Sequence, residues 1–324
     1  MSAPAARAEL IEDRGEAAVS VEFFRSRPFL DAEGATHTLR IEAADGTELL
    51  APLIVRTVDE GPERDATTPY GYPGLAASSE RASPRYAGTN GFELDPAAID
   101  FSPTGLVSVF VRHRLDRVPL TGTTDRNVVQ IADPALPPKS RPSDRRQVRR
   151  NLEAGYELTL VPGPETTPRL RAGFLDVYEQ TMRRTAAVER YFFTAAYFDR
   201  VLEAERTWLA LATAPSGDLA AASLAAVSDG FLHYHLSGSA DSHLSDSPMK
   251  SVVARLVEHA GELGLPLNLG GGIRPDDALE EFKRGFANRS EAWRTSEIVC
   301  DRAAYERLSA DRDSGGYFPA YRAA

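Results

Sequence analysis

One cysteine, Cys300, occurs in 324 residues. That scarcity excludes an intramolecular disulfide and a cysteine-rich zinc site, and it points to a reducing compartment. No window approaches 18 consecutive apolar residues, so no membrane span is expected. The opening "MSAPAARAELIEDRGEAAVS" carries acids where a signal peptide needs a basic start and an apolar core. A cytosolic location is therefore expected, with residues 1 to about 16 as a loose tail. Positive charge is also short. A net charge of −10 argues against broad, nonspecific nucleic-acid binding. Only a local basic face could act, within about a Debye length, roughly 8 Å at physiological salt. There is no G-x-S-x-G elbow and Cys300 has no local partner signature, so no covalent nucleophile is evident.

The chain is 42% apolar and 8% aromatic, enough for an ordinary core, and its length suggests two domains. "THTLRIEAADGTELLAPLIVRTV" (36–58) alternates on both sides of Asp45-Gly46, which predicts a hairpin. "GLVSVFVRHRL" and "RNVVQIAD" read as strands. "PALPPKSRPS" (134–143) holds four prolines in ten residues and is the candidate domain boundary. Beyond it, "DRRQVRRNLEAGYELTLV" reads as a basic helix turning at Gly155 into a strand. Leu170, Phe174, Tyr178 and Met182 mark an amphipathic helix by their i, i+4 spacing. Three strand-like runs, "TWLALATAP", "LAAASLAAVSD" and "GFLHYHLSGS", form a meander. "DSPMKSVVARLVEHAGELG" is a helix with Ser247 as N-cap and Pro248 at N1. Mixed strands and helices in this order predict α/β (α+β) architecture, a mixed sheet flanked by helices.

"LNLGGGIRPDDALEEFKRGF" (267–286) runs from an apolar strand through three glycines into a helix, as phosphate loops do. Here Asp276 or Asp277 is the expected N-cap, with Glu280 beside the first turn, so a phosphate would meet like charge and occupied donors. The glycines instead suit a close approach to another backbone or a substrate. Lys283 lies near the helix end. It is either a solvated cation capping that end or a charge delivered to a cleft by its flanking Phe282 and Phe286.

The order of "DRRQVRRNLEAGYELTLV", "YEQTMRRTA", "RYFFTAAYFDRVLE", "LHYHLSGS", "SPMKSVVARLVEHAGELG", "LNLGGG" and "FKRGF" resembles the FemAB-like family of the GCN5-related N-acyltransferase fold. The resemblance covers residues 140–300 well. It reaches residues 20–135 more loosely, through "FFRSRPFLDAEG", the hairpin and the "TPYGYPG" loop. It implies two acyltransferase-like domains, each a mostly antiparallel mixed sheet flanked by helices. The expected ranges are 17–138 and 139–310, with 311–324 as a tail packing back on the first. The long helical arm often inserted in peptidoglycan-building members is absent, which weakens a cell-wall substrate.

Familial activity is amide formation, by transfer of an amino acid from aminoacyl-tRNA to an amine on a small molecule, a peptide natural product or a peptidoglycan precursor. The alternatives are an acyl-CoA-dependent enzyme and a non-catalytic binding protein of the same fold. Acyl-CoA enzymes of this fold bind the pyrophosphate at a Gly-rich turn before a helix. The equivalent "SGSADSHLSDSPMKSVV" has one glycine, Asp241, Asp246 and a proline-started helix, all unfavourable to an anion. No cofactor and no metal are expected. Residues 139–150 bring Lys139, Arg141, Arg145, Arg146, Arg149 and Arg150 against Asp144 alone, and Arg145, Arg146, Arg149 and Arg150 are the candidate tRNA contacts; the bland reading is a solvated basic helix. Lys283 is the candidate catalytic cation, for the donor carbonyl or terminal phosphate. Tyr70, Tyr72, Arg184, Tyr191 and Tyr234 are the candidate acceptor-binding residues; loop or core packing, or a surface arginine, is the alternative for each. His233, His235 and His243 would be substrate-facing or packed rather than metal ligands.

Overall fold

A computed structural model describes residues 5–59, 61–79, 93–310 and 312–323. In chain order its strands are β1 (Ala6–Ile11), β2 (His37–Ala43), β3 (Glu48–Thr57), β4 (Arg64–Thr67), β5 (Ala76–Ala77), β6 (Ile99–Asp100), β7 (Ser108–Arg112), β8 (Thr124–Ala132), β9 (Glu157–Pro162), β10 (Thr207–Thr213), β11 (Leu219–Ser228), β12 (Phe231–Ser239), β13 (Leu267–Gly270) and β14 (Arg289–Val299). The helices are α1 (Arg27–Glu33), α2 (Pro142–Glu153), α3 (Pro168–Arg184), α4 (Ala195–Val201), α5 (Met249–Leu263), α6 (Ala278–Arg284) and α7 (Arg302–Ser309). Contacts divide the chain into two units. One holds the chain up to Arg126 and from Trp293 on; the other is Asn127–Ala292.

In the first unit β2 and β3 form the hairpin at Asp45-Gly46, with Gly46 at φ 82° and the Asp45 carboxylate accepting from Thr47 N. Residues expected as a loose tail instead include β1, which pairs antiparallel with β2 and parallel with β6. Its alternating Ala6 and Ala8 are buried, and small side chains sufficed to seat a strand that a search for bulky apolar residues passes over. Leu39, Ile41, Leu53, Val109, Val111 and Ile298 make the core. The C-terminal segment packs into this unit: Tyr321 is buried with its hydroxyl 2.7 Å from Ser108 Oγ, and Arg322 pairs with the buried Asp65.

In the second unit the strands run β8-β13-β12-β11-β10-β9. The meander β10-β11-β12 is antiparallel, and β13 adds parallel to β12. β11 is almost wholly buried, which is why it reads as a continuous run of Ala, Leu and Val rather than an alternation. Val252, Val253 and Leu256 of α5 pack on Ala210, Ala212, Ala221 and Ala225. The proline-rich stretch is an internal connection here: Asn288 Nδ2 donates to Asp133 O and Pro137 O, and Arg141 N donates to Gly285 O. Pro248, not Ser247, is the N-cap of α5; Ser247 takes a left-handed turn at φ 47° and no side chain caps the helix.

α3 crosses β12 at Gly238. A Cβ there would fall 2.3 Å from Val177 O and 2.5 Å from Tyr178 Cα, both backbone atoms of α3. Gly238→Ala is therefore expected to destabilise the protein by about 1–3 kcal/mol or more, read as a lower urea midpoint.

Burial also holds three histidines neutral. His113, 2.7 Å from Ser296 Oγ, and His233 are each lowered to about 4, and His235 to about 3, with desolvation the leading cause. Their folded values lie below the unfolded 6.5, so the unfolded chain takes up protons first as pH falls. Stability is expected to be intact above about pH 6.5 and to drop towards pH 4, by roughly 3 kcal/mol per histidine over the full window. Urea unfolding at pH 7 and pH 5 checks this, and His233→Gln should flatten the dependence.

Candidate active site

β13 ends in three glycines, each constrained differently. Gly270 has φ +75°, and a Cβ on it would sit 3.2 Å from Lys283 Nζ. A Cβ on Gly271 would strike the Asn127 side chain at 2.6 Å, and one on Gly272 would strike Asp277 at 2.5 Å. The turn thus needs its glycines for close approach. Asp277 caps α6: its carboxylate accepts from Glu280 N (2.8 Å), Ile273 N (2.7 Å) and Arg274 N (3.0 Å), and these bonds help hold its pKa below the usual carboxylate range. Glu280 reaches back to Asp276 N at 2.9 Å. The donors a phosphate would use are occupied by protein carboxylates.

Lys283 is not a solvated cap. It is 8% exposed, and Nζ donates to Gly271 O at 2.6 Å. Burial lowers its pKa to about 8, against the raising influence of Asp277 and Glu280. At pH 7, below this value, the ammonium form predominates. An ammonium carries three N–H donors, and Gly271 takes one. The helix beneath is fixed by Phe282 and Phe286, whose rings meet edge-on at 5.7 Å, and by Glu280, which pairs with Arg284 at 2.6 Å.

The other candidate residues are distributed. In the first unit Tyr70 is partly exposed, with its amide donating to Glu33 at 2.9 Å, and the Tyr72 ring packs edge-on against Phe24 and Trp293. In the second unit Arg184 pairs with Asp241 and donates to Ser239 O at 3.3 Å. The Tyr191 carbonyl accepts from the Tyr178 hydroxyl at 2.8 Å. Arg184, the last residue of α3, is thereby tied to the end of β12 and the segment after it, and Tyr191 is tied to α3. The Tyr234 hydroxyl lies 2.5 Å from Ser237 Oγ, and desolvation raises its pKa to about 12. β12 carries a bulge at His235, which breaks the alternation that would put His233 and His235 on one face. Among the described residues, no hydrogen bond or ion pair joins Lys283 to any of these.

α2 has two faces. Asp144 pairs with Lys250 at 2.8 Å, Gln147 donates to Asp246 O and Asn151 donates to Ser251 Oγ, so this face ties the helix to the start of α5. Arg145, Arg146, Arg149 and Arg150 are exposed, and none forms an ion pair among the described residues. Residues absent from the sequence reading also matter here. Tyr156 donates to Asp246 Oδ2 at 2.6 Å and lies 3.1 Å from His243 Nδ1, and Asn268 links His233 to the glycine turn. The one local hint was an asparagine two residues before a glycine run.

At the start of α5, Lys250 N donates to Ser247 O, while Ser251 N and Val252 N donate to Pro248 O. With Asp241 and Asp246 preceding them, these residues do not fit a CoA pyrophosphate, which needs free amides and no like charge.

Residues 138–284 match a family model described as "Acetyltransferase (GNAT) domain". No curated protein matches the chain. Among solved structures, FemX is 11% identical, with a TM-score of 0.62 over 92% of this chain and 99% of that one. L-PGS from Bacillus licheniformis is 13% identical, with a TM-score of 0.52 over 85% and 87%. The C-terminal domain of a putative lysylphosphatidylglycerol synthetase from Agrobacterium fabrum is 13% identical, with a TM-score of 0.53 over 90% and 93%. Identities at this level speak to fold. The chain shares its fold with FemX, and residues 138–284 form an acetyltransferase-type (GNAT) domain.

Proposed function

We propose that the protein is an N-acyltransferase that moves an amino acid from aminoacyl-tRNA to an amine acceptor. The observation that carries the donor is the arginine face of α2. Several other arginines of this unit pair with acids, as in Arg171–Asp199, Arg184–Asp241, Arg255–Glu262 and Arg289–Asp133, while Arg169, Arg190, Arg206 and Arg274 form no ion pair among the described residues but are scattered along the chain. Four on one helix left unmatched, in a chain of net charge −10, suit a polyanion bound locally. The unsuitable start of α5 argues against acyl-CoA, and the FemX-like fold is compatible with aminoacyl transfer.

The chemistry asks for alignment and charge stabilisation. The neutral acceptor amine attacks the ester carbonyl carbon and the carbonyl oxygen gains negative charge. As the tetrahedral intermediate collapses, the C–N bond is kept and the C–O bond to the ribose breaks. The proton lost by the amine ends on the ribose oxygen. Lys283, with one N–H held by Gly271 O, turns its remaining donors to that oxyanion or to the donor's terminal phosphate. Tyr70, Tyr72, Arg184, Tyr191 and Tyr234 are the proposed acceptor contacts. The acceptor is a small molecule, a peptide or a precursor amine.

The decisive experiment offers total charged tRNA and candidate amines, with and without RNase. RNase-sensitive transfer of a labelled amino acid is expected; saturable acetyl-CoA binding with no response to charged tRNA would sink the reading. Changing Arg145, Arg146, Arg149 and Arg150 together to Gln should weaken tRNA binding and flatten its salt dependence, measured as log affinity against log salt. Lys283→Met should cost on the order of 10²-fold or more in transfer rate. Its thermal midpoint should move little, because the lost bond to Gly271 O is offset by relief from burying a charge. A rate within about threefold of wild type would remove Lys283 from the chemistry.

A further inference from the structure

We propose that His233 and Asn268 are positioning residues for Lys283, locking the Gly270–Gly271 turn so that the Gly271 carbonyl holds the ammonium in place. This rests on the reading of Lys283 as the charge that meets the donor.

The parallel ladder between β12 and β13 comprises two pairs, Leu232 with Leu267 and His233 with Asn268. On the β8 side the register shifts between Asn268 and Gly270. Backbone pairing with β12 therefore ends at Asn268, while on the β8 side Gly270 pairs with Gln130 beyond the shift, and side chains supply the other ties to the turn. Asn268 Oδ1 accepts from Gly270 N at 2.8 Å, and Asn268 Nδ2 lies 3.0 Å from His233 Nδ1. His233 Nε2 lies 3.2 Å from Ser228 O. Both side chains are buried.

Donor and acceptor roles along this chain are forced. Gly270 N–H can only donate, so the asparagine oxygen faces it and the asparagine NH₂ faces the imidazole. Ser228 O can only accept, so His233 carries its proton on Nε2 and accepts at Nδ1. A protonated imidazole would set a hydrogen on Nδ1 against the asparagine amide. The relay thus holds in one tautomer of neutral histidine, and it ends where the turn begins. On the far side of the turn, Asn127 Nδ2 donates to Gly272 O at 2.8 Å, and Asp277 takes Ile273 N. Gly271 O, between these anchors, is the only hydrogen-bond partner of Lys283 Nζ among the described residues. A turn free to rotate its 271 peptide would release that contact.

The test needs a readout that ordinary core packing would not move. The chain has three lysines, Lys139, Lys250 and Lys283, so protein labelled with lysine carrying 13C at Cε gives few signals, and Lys283→Met assigns the relevant one. In wild type its shift should titrate near 8. In full-length Asn268→Ala, water reaches the freed ammonium and the midpoint should rise towards the ordinary 10.5. The transfer rate constant kcat should fall at least about tenfold with little change in acceptor KM, since alignment rather than binding is lost. An unchanged Lys283 titration in folded Asn268→Ala overturns the proposal. If that variant does not fold, His233→Gln carries the same test: a smaller upward shift is expected, and no shift overturns it. The titration involves no substrate. Its failure is therefore distinct from failure of the catalytic reading, which Lys283→Met tests by activity alone.

Discussion

Burial of one ammonium organises the second unit's glycine turn. Removing Lys283 from water costs free energy that the Gly271 carbonyl and the nearby Asp277 and Glu280 carboxylates offset only in part, which is why its pKa falls to about 8. The surroundings follow from that demand. Gly270 suits glycine because its φ is +75°, and a Cβ there would sit 3.2 Å from the ammonium nitrogen. Asp277 must stay ionised at the head of α6, and its three backbone N–H bonds help hold it so. Glu280 is itself buried and is satisfied by Arg284 and Gln130. Such a site loses coherence if a single member is removed, as expected for groups that act as one unit.

A second theme is the way α2 divides its labour. Its inner polar residues, Asp144, Gln147 and Asn151, bind it to the start of α5 and to the segment before it. Its outer residues are cations that form no ion pair among the described residues. An acidic protein that spends four adjacent arginines this way creates a positive strip whose reach is set by screening, so it acts on what touches it and not at a distance. The same connection links the strip mechanically to the α5 start, where Tyr156, His243 and Asp246 form a compact polar cluster.

Much of the fold was legible because the relevant signals are local. The Asp45-Gly46 hairpin, the meander with turns at Gly217 and Asp229-Gly230, and helices α3 and α5 follow from alternation, i, i+4 spacing and left-handed turn residues. β1 was missed because alanines fill its buried positions, and Ser247 was misplaced as a cap because only geometry shows that it turns left-handed before Pro248. The Asp277 cap was legible from charge at a helix start. The burial of Lys283 was not: a lysine near a helix end reads as solvated until the turn folded against it is known.

The sequence alone determined the classes of element, their order, the acidic balance with its single basic strip, and the carboxylate cap that bars an anion from α6. Each is a property of neighbours along the chain. Tertiary structure alone decided what depends on residues far apart in sequence. His233 meets Asn268 from 35 positions away, and Lys283 reaches back 12 residues to Gly271. Solvent is excluded around them by segments whose approach no local pattern encodes, and exclusion of water, not residue type, turns an ordinary lysine into a charge held ready near neutral pH.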